Sequence, residues 1–271
     1  MNADRLFRML ANLQSKELKP FVVQRDEEFG AWWHVRDAVP PVLLEELTHF
    51  SDREANEYYL IHSKRVGDLS RIVLTASPGH VAQMKAHGEA DVISSRPEAK
   101  TLSAELASVY ASLTDITGTK CGILEEPELL RSIPGSLGSM PHMDSCREPE
   151  HEGEDHMAAI INLSPDGIVQ ATTALAKYPW QPCPVNLGPD SKVPLDWSKI
   201  ETVKLAWKWG DIIVFYQTLI HWTAANLTKF HREICFMGGR PTNFHGSSWS
   251  DTIVITQDVF HDMRRYTSHT L

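Results

Sequence analysis

The feature that most constrains this chain is a change of apolar rhythm near residue 119. Before it, apolar residues recur at three- and four-residue spacing. After it, short apolar and β-branched runs alternate with Pro, Gly, Asp and Asn. The later runs are 121–124, 129–133, 158–163, 168–173, 203–207, 212–216, 234–237 and 252–256. At four to six residues each, they are too short for helices and fit strands. Helical patterns first and many short strands later predict a mainly β chain with flanking helices, built as a β-sandwich or jelly roll.

The first half supplies the flanking helices. Residues 32–39 read as a strand. Pro40 and Pro41 then open a helix whose apolar face is Val42, Leu43, Leu44 and Leu47. Leu102, Leu106, Val109, Tyr110, Leu113 and Ile116 mark a second amphipathic helix, and Gly118 stops it. Phe7, Leu10 and Leu13 fall at helical spacing near the start, and 259–266 reads as a helix near the end. Residues 177–199 hold five prolines and form an expected insertion between strands. One domain is expected over 1–271. Within it, 1–118 is a helix-rich buttress with one or more strands, and 119–271 is the core.

Composition narrows the function classes. No run of 18 apolar residues occurs, so no transmembrane helix is expected. The first 20 residues carry Asp4, Arg5, Arg8, Lys16, Glu17 and Lys19, with no apolar signal core. The four cysteines, Cys121, Cys146, Cys183 and Cys235, form no Cys-x-x-Cys pair. That argues against a zinc site of paired cysteines and against a disulfide scaffold, and predicts an intracellular, cytoplasmic setting. The net charge of −9 and the lack of a Lys/Arg cluster argue against a nucleic-acid partner. The densest charge run, 147–156, is acidic. It reads as a solvated loop, or as a lid or cation-attracting rim. Nothing in the sequence sets the oligomeric state.

The chemistry concentrates in two places. In His142-Met143-Asp144, an imidazole and a carboxylate stand two apart, so at a strand end they share one side of the backbone. A second histidine from a distant strand would complete a facial set of two histidines and one carboxylate. Such a set suits Fe(II), with an open face for a bidentate cosubstrate and O2. His87-Gly88-Glu89 and His231-Arg232-Glu233 are comparable patterns and are taken as chance matches. A hydrogen-bonded histidine near a turn is the plainer reading of His142 alone. The second place follows the turn Gly210-Asp211 and the apolar run 212–215, where His221, Thr223, Asn226 and Arg232 appear in succession. Arg232 lies 232 − 221 = 11 residues after His221, at the start of the next expected strand. A guanidinium there could take a carboxylate through two parallel hydrogen bonds. Thr223, two past His221, could add a hydroxyl.

His142, Asp144, His221, Thr223 and Arg232 resemble, in order and type, the 2-oxoglutarate/Fe(II) dioxygenases, in particular the phytanoyl-CoA hydroxylase-like branch. The lead-in Leu130-Arg131-Ser132-Ile133-Pro134-Gly135 and the stretch Trp33-His34-Val35-Arg36-Asp37-Ala38-Val39-Pro40 are similar to that branch too. The interval 221 − 144 = 77 implies inserted loops, and the lead-in to His142 lacks a Gln often found there.

The resemblance implies a double-stranded β-helix (jelly-roll, cupin-like) core and an oxygenase reaction. Fe(II) is held by His142, Asp144 and His221. The cosubstrate 2-oxoglutarate chelates the iron, its far carboxylate meets Arg232 and Thr223, with Asn226 nearby, and O2 takes the last position. The implied reaction is hydroxylation of a small organic molecule. Trp222 and Met143 are the candidate substrate-pocket residues. Trp180, Trp207, Trp209 and Tyr216 either wall that pocket or belong to the core. Two other readings remain at this point: the same chemistry on a protein side chain or nucleobase, and a catalytically silent jelly-roll scaffold.

Overall fold

The computed structural model describes residues 21–26, 32–62, 69–76, 81, 93–118, 123–135, 142–143, 157–164, 173–177, 201–204, 207–217, 219, 221–223, 226–240 and 253–254. In chain order the elements are β1 (Phe21–Asp26), β2 (Trp32–Arg36), α1 (Pro41–His62), β3 (Leu69–Val73), α2 (Pro97–Thr117), β4 (Ile123–Ser132) and β5 (His142–Met143). There follow β6 (Met157–Asn162), β7 (Thr173–Lys177), β8 (Glu201–Lys204), β9 (Ile212–Tyr216), β10 (His221–Thr223), β11 (Arg232–Arg240) and β12 (Ile253–Val254).

The strands form two antiparallel sheets. A seven-stranded sheet runs β1-β2-β9-β6-β11-β4-β3, and a five-stranded sheet runs β12-β5-β10-β7-β8. From β4 onward the chain steps back and forth between the sheets. It leaves the larger one for β5, returns for β6, crosses for β7 and β8, and then alternates through β9, β10, β11 and β12.

The central strands β6 and β9 are apolar almost without interruption, because both of their faces are covered. Met157, Ala159, Ile161, Ile212 and Val214 pack on one side with Leu43, Leu47, Leu106 and Leu113 from the helices. Ala158, Ile160, Ile213 and Phe215 pack on the other with Trp32, Leu219 and Ile234. The rings of Phe215 and His221 meet, so this second face looks toward β10 and the smaller sheet. Full burial of each such aliphatic side chain is worth about 1.5–3 kcal/mol.

The helices are set by local chemistry. Pro40 accepts the amide of Leu44 at 3.1 Å, and Pro41 occupies the first turn, where its missing N–H costs nothing. Leu43, Leu44, Leu47 and Phe50 then form one buried stripe. Gly210, in the turn leading to β9, has φ +82°, and a Cβ there would lie 2.5 Å from Leu44 Cδ1. Glycine thus serves both the backbone turn and the close approach of α1. Among the described residues, no helix is long and apolar enough to cross a membrane.

Several elements differ from the sequence expectation. The runs 121–124 and 129–133, expected as two strands, are one strand, β4, with Pro127 inside it. The Pro127 carbonyl accepts the amide of Leu74. The N–H that proline lacks would point to that same side, past the last β3–β4 pair, Val73 with Glu128. Of the strand expected at 168–173, only Thr173 falls in a described element, the first residue of β7, and 168–172 lie outside the described residues. The strand expected at 203–207 is β8, Glu201–Lys204. The short run 252–256 contains β12. Strands β1 and β3 carried no specific expectation. Both are edges of the larger sheet, where one-sided pairing leaves a weaker apolar signature. The helices expected near Phe7 and at 259–266, the acidic run 147–156 and residues 178–199 lie outside the described residues.

Candidate metal and carboxylate site

Strand register makes the first link. β5 pairs with β10 so that His142 stands directly opposite His221. Directly opposed residues of an antiparallel pair belong to the same face, with Cα atoms about 4.5–5.5 Å apart. Positions separated by 221 − 142 = 79 residues in sequence are thereby neighbours. β10 is held on its other side by β7, with Leu175 opposite His221. β12 backs β5, with Val254 opposite His142. Asp144 and the side chains of His142, Met143 and Trp222 lie outside the described residues. Among the described residues alone, no three His, Cys, Asp or Glu side chains gather around one point.

His221 is oriented by its surroundings. It is 5% exposed, and its Nδ1 lies 3.0 Å from the carbonyl of Leu219. A carbonyl can only accept, so Nδ1 carries the proton and Nε2 is the nitrogen with the lone pair. The Phe215 ring sits at 4.7 Å between centroids, tilted by 56°, and limits rotation of the imidazole. A histidine fixed in this way through one ring nitrogen is prepared to present the other to a metal. Thr223, two residues on, falls on the same face of β10 and is half-buried.

Arg232 opens β11. Ile234 and Phe236, two and four residues later, pack in the cluster between the sheets, so Arg232 belongs to that face. It is 4% exposed, and burial pushes its guanidinium down to about 9. It remains a cation at neutral pH. A carboxylate fits the guanidinium fork. The strand is fixed from behind. On the helix-facing side, Glu233 pairs with Arg131, and Arg131 reaches Asp52 of α1. Burial raises the Glu233 carboxyl, with Arg131 working against that rise.

Asn226 is fully buried between His221 and Arg232 in sequence. Its Nδ2 donates to the carbonyls of Ser132 at 3.1 Å and Phe230 at 2.8 Å. Its Oδ1 accepts from the amide of Thr228 at 3.2 Å and from Thr228 Oγ1 at 2.7 Å. Its own carbonyl accepts the amide of Gly135. The side-chain amide is therefore fully engaged within the protein. Asn226 shapes the turn before β11 and ties it to the end of β4.

Of the aromatic candidates, Trp207 packs in the intersheet cluster and Tyr216 packs on the helix side, edge-on to Trp33 at 5.9 Å. Both are core. Trp209 is more exposed than either, and Trp180 lies outside the described residues.

Two groups escaped the sequence reading. One is the cluster on Asp211. His34 Nε2 lies 2.7 Å from its Oδ2, Arg36 Nε donates at 3.3 Å, and the amide of Lys208 donates at 2.8 Å. Burial alone would raise this carboxyl. The hydrogen bonds of His34 and Lys208, with Arg36, outweigh burial and hold it below its ordinary value. The Gly-Asp turn was visible in the sequence, but its partner is 177 residues away. The other is Ser132, opposite Arg232 in the β4–β11 ladder.

No protein-family profile matches the sequence, and neither does any curated protein. Solved structures do. The chain is similar to the epimerase SnoN in complex with Fe3+, alpha ketoglutarate and nogalamycin RO, at 15% identity and TM-score 0.53, over 95% of this chain and 98% of that one. It is also similar to HygX from Streptomyces hygroscopicus with nickel, 2-oxoglutarate and hygromycin B bound, at 14% identity and TM-score 0.51, over 94% and 98%. At such identities the likeness shows the fold, and this chain folds as the non-heme alpha ketoglutarate dependent epimerase SnoN does.

Proposed function

We propose that this chain is an Fe(II)- and 2-oxoglutarate-dependent oxygenase that hydroxylates a small organic molecule. The reading takes the alternating strands β4 to β11 as a double-stranded β-helix within one domain, on the phytanoyl-CoA hydroxylase-like pattern. The observation that carries it is the pairing of His142 with His221, whose ring is already fixed through Nδ1. Iron is assigned to His142, Asp144 and His221, a donor set that suits Fe(II). The far carboxylate of 2-oxoglutarate is assigned to Arg232, with Thr223 as a second donor.

When bound, iron and 2-oxoglutarate supply O2 activation coupled to decarboxylation of the cosubstrate to succinate and CO2. The chain's own part is positional. Leu219 keeps the His221 lone pair on Nε2. The helix-side ion pairs and the Asn226 turn hold the start of β11. The aliphatic face of Ile160, Ile213 and Ile234 keeps bulk water from the space between the sheets. A small-molecule substrate is favoured because SnoN and HygX, which share the fold, hold nogalamycin RO and hygromycin B.

The test is an anaerobic titration of the apoprotein with Fe(II) and then 2-oxoglutarate, following the weak visible charge-transfer band of the chelate. The expected result is a band that is lost in His221→Ala. Iron binding without the band would remove the Arg232 assignment. Absence of iron binding would remove the enzyme reading and leave a silent scaffold.

A further inference from the structure

Ser132 closes β4 next to the candidate carboxylate anchor. It is 3% exposed, and its hydroxyl is buried with no hydrogen-bond partner among the described residues. A hydroxyl in that state is uncommon, because burial strips its water and nothing replaces it. Its place in the ladder says what it faces. Ser132 is the direct cross-strand partner of Arg232, so the two side chains share one face of the sheet. Leu130, two residues before Ser132, packs against the intersheet cluster, as Ile234 does two residues after Arg232. Both strands therefore place the hydroxyl and the guanidinium on the face turned toward the smaller sheet.

The backbone around Ser132 is held in place. Its carbonyl accepts Asn226 Nδ2 at 3.1 Å, and its neighbour Arg131 is ion-paired to Glu233 on the opposite face. The hydroxyl can turn about its own bond, but the residue cannot swing out of the ladder. A carboxylate has about four lone-pair sites, and a bidentate guanidinium uses two of them. A hydroxyl beside the guanidinium can serve a third.

We propose that Ser132 is a binding residue for the carboxylate that Arg232 receives, so that β4 and β11 hold the distal end of 2-oxoglutarate jointly. This rests on the Arg232 reading above, and it adds a donor on a different strand. The buried hydroxyl, unmatched among the described residues, is matched by the ligand.

The test is equilibrium binding to the Fe(II)-loaded protein under anaerobic conditions, with two ligands. One is 2-oxoglutarate. The other is 2-oxopentanoate, which keeps the chelating end and lacks the distal carboxylate. Ser132→Ala should weaken 2-oxoglutarate about tenfold, the scale of a hydrogen bond to a charged group, and leave 2-oxopentanoate unchanged. Without ligand, its Tm should be equal to or above that of the wild type, because a methyl group replaces an unmatched hydroxyl. Ser132→Thr, which keeps the hydroxyl, should restore affinity. Arg232→Met serves as the control and should weaken 2-oxoglutarate more than Ser132→Ala does. If Arg232→Met weakens binding and Ser132→Ala does not, the Ser132 proposal falls and the Arg232 reading stands. If neither variant changes affinity, both fall. Equal losses for the two ligands, or a lowered Tm in Ser132→Ala, would make Ser132 structural and overturn the proposal.

Discussion

Single residues carry most of what this site can do, and their surroundings make them specific. His221 is the proposed metal ligand whose ring is oriented by donating Nδ1–H to the carbonyl of Leu219. His221→Ala should abolish Fe(II) binding with the far-ultraviolet circular dichroism unchanged. Arg232→Lys keeps a charge but loses the fork. It should weaken 2-oxoglutarate by about tenfold or more, measured by titration of the iron-loaded protein. A third residue tests packing. A Cβ at Gly239 would lie 2.1 Å from Tyr110 Oη, and that hydroxyl is committed to the carbonyl of Met157. Gly239→Ala should cost about 1–3 kcal/mol in urea unfolding. In a Tyr110→Ala background, Gly239→Ala should cost less than it does in the wild type, so that the two changes are not additive. The groups His142 with Asp144, and His221 with Thr223 and Arg232, could be proposed from the sequence because spacing along one strand or across one turn is a sequence property, whereas the pairing of the two groups rests on register. Ser132 and His34 were not legible, since their meaning lies in cross-strand register. Asn226 was noticed for its place in the order, while its saturated amide could be seen only in three dimensions.

At the scale of elements, β4 and β11 are the framework of the proposed carboxylate end. Arg131 joins them through Glu233 and ties both to α1 through Asp52. A buried pair of this kind is costly to break from one side only. Arg131→Met alone should destabilise by about 3–5 kcal/mol, because Glu233 is left buried without its cation. Arg131→Met with Glu233→Leu should recover most of that in chemical denaturation. A double variant as unstable as the single one would show that the pair is not what α1 rests on. The elements best read from sequence were those buried on both faces, β6 and β9, and the two helices with continuous apolar stripes. The edge strands β1 and β3 were missed because pairing on one side asks little of their side chains. The two strands expected around Pro127 proved to be one, because the proline falls where the ladder to β3 has ended.

For the whole molecule, acid is the informative perturbation. The Asp211 carboxyl is held below its ordinary value in the folded protein. The sign follows from linkage. A depressed folded pKa means that the unfolded chain takes up the proton more readily. The stability contributed by Asp211 is then full above the ordinary carboxylate pKa of about 4 and is lost as pH falls through the folded value. Glu233 runs the other way, since burial raises it and makes its charged form the costlier one when folded. The expected outcome is a Tm that drops on acidification below about pH 4. In Asp211→Asn, the neutral-pH Tm should be lower and the acid limb flatter. An Asp211→Asn limb as steep as that of the wild type would place the acid sensitivity elsewhere. The mainly β architecture with flanking helices was legible from the change of rhythm near residue 119. The partition of strands between two sheets was not, because it is fixed by pairings far apart in sequence.

That partition has a consequence for how the protein is made. The next-to-last strand of the described chain, β11, lies between β6 and β4 in the middle of the larger sheet. Without it the sheet is two pieces, β1-β2-β9-β6 and β4-β3, each with an open edge. The same holds for β10, which His142 awaits on the neighbouring sheet. Pairings this distant close slowly, because the chain entropy of the loop is lost before any contact repays it. A growing chain that has emerged only through β9 therefore has neither the histidine pair nor the arginine anchor. On the proposed assignment, iron capture would be a late event in the protein's synthesis, and metal uptake by the nascent chain would report the moment at which the sheet closes.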